Sequence, residues 1–148
     1  MAGALDADAA LLTGIAHRFA LALAVLVTDQ QLTSESDVPY EPFTAAFDAD
    51  QRVTAASFRE ALGFDDSRQV VMASADSFFA QAIASAREAG DARGEQAYAV
   101  LEHTMRRALG RLRQVRVRGD GIVAVPFFLF GRLGGGPLVG LRSVAIET

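Results

Sequence analysis

The 148-residue sequence contains no cysteine and no lysine, and only two histidines. Without cysteine there can be no disulfide framework, no thiolate nucleophile and no cysteine-based zinc site. Without lysine there is neither a phosphate-loop lysine nor a Schiff-base lysine, and all basic side-chain charge is arginine. The two histidines, His17 and His103, have no second histidine or carboxylate at metal spacing beside them, so each reads as a packed or partly exposed helical side chain. No serine has the flanking glycines of a nucleophile elbow. The inventory for covalent catalysis is therefore nearly empty, and the chain reads as a non-enzyme with no cofactor.

Long apolar runs are scarce as well. Phe19 to Val27 is the longest candidate for a span, but it falls far short of the roughly 20 residues that cross a bilayer, and acidic Asp6 and Asp8 stand where a signal peptide needs positive charge. The expectation is a buried helix in a cytoplasmic protein without membrane contact. At 51% apolar and 22% charged, the composition suits one ordinary core, and residues 1–148 are expected to form a single domain.

The charge that is present is unevenly spread. Residues 1–100 carry fifteen Asp or Glu against six Arg, and residues 101–148 carry three against eight. An acidic first part favours a basic partner over nucleic acid. The arginines 106, 107, 111, 113, 116 and 118 point the other way, as an electrostatic footprint would. They lie off the apolar helix face or on one side of a strand, with no interleaved aromatic to stack a base.

Hydrophobic spacing predicts the elements. Leu11, Leu12, Ile15, Phe19, Leu23 and Leu26 mark one long helix from Asp8 to Leu32, ended by the stretch before Pro39. Tyr40 to Phe47 reads as a strand. Thr54 is a good N-cap for a short helix through Leu62, with Gly63 as C-cap. "QVVMAS" reads as a second strand, Asp76 opens a helix carrying Phe78, Phe79 and Ile83, and "REAGDARGE" reads as loop. A second long helix spans Glu95 to Leu112, its apolar face formed by Ala97, Val100, Leu101, Thr104, Met105, Ala108 and Leu112. The period then changes to two, giving strands around Val115 and Val117, over Ile122 to Phe130, and over Val139 to Ile146. Pro126 marks a bulge or open edge. The expected fold is α+β, an αβα sandwich whose central, mostly antiparallel sheet has five strands, the last three in a meander.

Two apparent motifs fail on context. Glycines 131, 134, 135 and 136 fall between two strands, where no helix N-terminus follows to face a phosphate, so they read as a hairpin. The "DAD" at 48–50 lacks the later glycine and glutamate of a calcium loop.

The segment "SESDVPYEPF" at 34–43 holds Glu35 and Asp37 tightly beside two serines at a helix-to-strand junction. Alone it is a turn satisfying free backbone groups. Taken with "DSFF" at 76–79, the long helix, "VRVRGDGIVA" and the final "PLVGLRSVAIET", it resembles the nuclease A inhibitor family over about residues 32–148. The resemblance implies an αβα sandwich that blocks the active site of a sugar-non-specific endonuclease of the ββα-metal type. It places the family's inhibitory glutamate on Glu35, supported by Ser34, Ser36 and Asp37, and its terminal threonine on Thr148, both reaching toward the nuclease's Mg²⁺ and arginines. A carboxylate and a free C-terminus would then stand in for phosphate oxygens. After Phe79 this chain reads "AQAIASAREAG" in place of the family's acidic and aromatic loop, leaving Glu88 and Asp91 as the nearby acids, with Glu147 next to the terminus. An interaction domain of the same fold without a nuclease target, and arginine-mediated nucleic-acid binding, are the alternatives.

Overall fold

The structure, a computed structural model, describes residues 2–32 and 38–147, with side chains from Ala10 onward. Four helices and five strands follow in the order α1 (Ala2–Leu26), β1 (Glu41–Ala45), α2 (Ala55–Leu62), β2 (Gln69–Ser74), α3 (Asp76–Glu88), α4 (Ala92–Ala108), β3 (Arg113–Arg118), β4 (Ala124–Arg132) and β5 (Leu138–Ile146). The strands form one sheet in the order β1-β5-β4-β3-β2 with every ladder antiparallel. The last three strands form the expected meander, and it makes the centre of the sheet.

Alternation along β4 divides the core in two. Phe127 and Leu129 face one side, where they pack with Ala16, Ala20 and Leu23 of α1, Phe78 and Phe79 of α3, and Leu101 and Met105 of α4. Phe128 and Phe130 face the other side and meet α2, whose Phe58 is fully buried. The Phe58 and Phe130 rings stack at 5.4 Å, and Phe43 lies 4.9 Å from Phe128. Helices on both faces make the αβα sandwich.

Local chemistry sets the boundaries. Thr54 Oγ1 accepts from the Ser57 amide at 3.0 Å while Ser57 Oγ accepts from the Thr54 amide at 2.8 Å, closing a capping box on α2. Gly63 ends that helix at φ 74°, a left-handed geometry that costs a side-chain-free residue little. Asp91 caps α4 by accepting from the Gly94 amide at 2.9 Å. Most of "REAGDARGE" is thus helical, because α3 runs to Glu88 and α4 starts at Ala92, leaving only a short turn.

Three further expectations shift. α1 stops at Leu26 rather than Leu32, and Asp29 in left-handed geometry (φ 72°) completes the turn well before Pro39. The buried side of α1 is Ala16, Ala20, Leu23 and Val27, whereas Leu11 and Ile15 are exposed. In α4, likewise, Tyr98 is buried and Val100 exposed. Pro126 sits in an interior strand, paired with Val144 of β5, at the point where the β3 ladder has ended at Arg116–Phe127. The missing donor falls on a locally open side, so the ladder loses nothing there.

Candidate functional site

Ser34, Glu35, Ser36, Asp37 and Thr148 lie outside the described residues, so the site is built from what flanks them. On one side, Gln31 and Pro39 form an isolated antiparallel bridge. The Tyr98 hydroxyl of α4 donates to the Gln31 carbonyl at 3.3 Å, and Ser143 Oγ of β5 donates to the Val38 carbonyl at 3.3 Å. Both flanks of the 33–37 stretch are therefore tied to the sandwich, one to a helix and one to a strand. Beyond them Glu41 pairs with Arg142 at the start of the β1–β5 ladder, with a 3.3 Å ion pair between the two side chains.

On the other side, the Glu147 amide donates to the Val123 carbonyl at 2.9 Å, holding the end of β5 against the segment that leads into β4. Its carboxylate accepts from Arg118 at 3.0 and 3.1 Å and from Arg116 at 3.1 Å. Arg118, with Arg116 assisting, holds the Glu147 carboxyl below its ordinary value. The Arg116 guanidinium also lies 5.3 Å from the Phe127 ring centre.

Arg116 links the two sides. Together with Gln114 it lines a groove of about 620 Å³ whose opposite walls are the turn from Asp29 to Leu32 and the Phe78–Ala86 side of α3. Tyr40 and Tyr98 form its floor, their hydroxyls 3.1 Å apart. Burial, reinforced by the neighbouring hydroxyl, pushes the Tyr40 phenol far up; burial also raises Tyr98. The floor is thus a neutral, hydrogen-bonded pair at any physiological pH. The groove can seat a polar chain against one cationic edge, and among its described lining residues no side chain is arranged for nucleophilic attack.

The acids named from sequence have different surroundings. Asp91 borders the groove, but its carboxylate is occupied as the cap of α4. Glu88 is exposed at the end of α3. Glu147 is engaged by its two arginines. The six clustered arginines do not make one surface: Arg106 pairs with Asp76 and Glu102 at 2.8 Å each, Arg107 is exposed on α4, Arg116 and Arg118 serve Glu147, and Arg111 and Arg113 lie at the far end of β3. His17 and His103 are exposed, and among the described residues no group of three potential metal ligands occurs. No helix among them is long and apolar enough to cross a membrane. From the sequence, Arg116 and Arg118 lie on one side of a strand without a partner and Tyr98 has no role; the Arg-x-Arg alternation beside a distant Glu-Thr end carries no local sign of its partner.

These features define an αβα sandwich of helices on an antiparallel five-stranded sheet, with a groove at one end of the sheet and no catalytic constellation among the described residues. A family model described as nuclease A inhibitor-like protein matches residues 19–148, and the chain belongs to that family. No curated protein matches the chain.

Proposed function

We propose that the chain inhibits a sugar-non-specific, metal-dependent endonuclease by presenting Glu35 and Thr148 to its active site. Family membership supports the class of partner. One observation supports the site: Gln31, on one flank of the Glu35 stretch, lines the same groove as Arg116, and Arg116 holds Glu147, the residue before Thr148. A short segment held at both ends loses little conformational freedom on docking. Glu147, neutralised by its arginines, fixes the strand end instead of meeting the partner. The nuclease supplies the Mg²⁺ and the hydrolytic chemistry, while this chain supplies oxyanions where phosphate would bind.

The test is a titration of ββα-metal endonucleases with the purified chain, following hydrolysis of both DNA and RNA. Loss of both activities near equimolar ratio is expected, because one blocked active site serves both substrates. The chain alone, with Mg²⁺, should leave both nucleic acids intact. Full hydrolysis by every nuclease of a panel in the presence of excess chain would leave the alternative of an interaction domain without such a target.

A further inference from the structure

We infer that a second pocket, on the α2 face of the sheet, opposite the face that carries the groove, binds a phosphate-type oxyanion. The pocket, of about 500 Å³, lies where the loop before α2 meets the end of α4 and the adjoining ends of β3 and β4. Four of its nine lining residues are arginines, Arg52, Arg111, Arg113 and Arg132, and none is acidic. It stands apart from the Glu147 end by the length of β4, roughly 25 Å of strand.

What sets this cluster apart among the described residues is that four arginines without a carboxylate partner line one cavity; outside it, half of the ten arginines are ion-paired. Arg87, Arg106, Arg116, Arg118 and Arg142 each meet a carboxylate. Among the described residues, none of the four pocket arginines does. Arg132 is held by neutral groups only: Nε donates to the Gly136 carbonyl at 3.1 Å, and its two terminal nitrogens donate to the Gln51 and Asp48 carbonyls. This fixes the guanidinium in place without cancelling its charge. Thr54, the N-cap of α2, also borders the pocket, so the positive end of that helix adds to the same field. A chain of net charge −4 thus concentrates unmatched cations at one corner.

Guanidinium forks pair their donors with the oxygens of carboxylates and phosphates, and several forks around one cavity suit a multiply charged tetrahedral anion better than a single carboxylate. The volume falls within the range of small-ligand sites, large enough for the group that carries the phosphate. The ligand class is therefore a phosphoryl dianion, free or as a monoester.

Calorimetric titration of the full chain at fixed ionic strength, with inorganic phosphate in one arm and a nucleoside 5′-monophosphate in the other, tests this. Saturable one-to-one binding is expected in at least one arm, weakened about tenfold or more by Arg111→Gln or Arg113→Gln. Arg107→Gln, an exposed arginine of α4 outside the pocket, should leave it unchanged. Equal affinity in both arms assigns the pocket to free phosphoryl anions; tighter binding of the nucleotide assigns it to a monoester. Absence of saturable binding in both arms, or equal weakening by Arg107→Gln, would overturn the inference. Circular dichroism of each variant separates lost binding from lost fold.

Discussion

Glu147 turns its carboxylate back toward β3, and this single residue shows how the end of β5 is held. Arg118 donates two hydrogen bonds to it and Arg116 a third, on side chains that remain partly exposed. Its folded-state value is depressed, so the folded chain binds the proton less readily than the unfolded one. The stabilisation is then present in full above the unfolded glutamate value of about 4.3 and is lost as pH falls through the lower folded value. Glu147→Gln should lower the melting temperature at pH 7, and the difference from the wild type should close in acid. A difference that stays constant from pH 7 down to pH 2.5 would show that the ion pairs do not hold the strand end. Residue identity made Glu147 legible as an acid beside the terminus; its partners, some thirty positions earlier, became visible only when the meander brought β3 near β5.

At the level of elements, the sequence pattern was clear in type and less clear in phase. The capping chemistry of Thr54 and Gly63 located α2, since both act within one turn of chain. The two-residue period and the glycine-rich turns located the meander. The first helix was harder, because it is apolar almost all round and its spacing fits more than one stripe. Small Ala16 and Ala20 face the sheet, allowing close approach, while the bulkier Leu11 and Ile15 point outward. This phase has a direct consequence for stability. Leu23→Ala, at a fully buried position, should cost about 2–5 kcal/mol in urea unfolding, whereas Leu11→Ala, at 65% exposure, should fall within about 0.5 kcal/mol of the wild type. Comparable losses from both would restore the stripe read from the sequence. "REAGDARGE" misled for a related reason: Gly94 and Asp91 are loop-like by composition, yet they form the first turn and cap of α4.

For the whole molecule, the sheet order explains why residues far apart in sequence can serve one site. Antiparallel pairing of β1 with β5 brings the chain after α1 beside the end of the last strand, and the Arg116 groove joins them. The family resemblance was legible in the end motifs, because they are specific short patterns; the groove was not, because its walls come from four separate elements. If the α-carboxylate of Thr148 is one of the two inhibitory groups, a tag after Thr148 should abolish inhibition of a susceptible nuclease and a tag at the N-terminus should preserve it. Unchanged inhibition with the C-terminal tag would remove Thr148 from the site. The most direct measurement concerns Glu35 itself: inhibition constants of the wild type, Glu35→Ala and Asp37→Ala against the same nuclease. Loss of a carboxylate that replaces phosphate in a desolvated interface should cost about 2 kcal/mol or more, roughly thirtyfold, with a much smaller loss for Asp37→Ala. Equal and small effects of the two substitutions would contradict the proposed role and return the stretch to a structural turn.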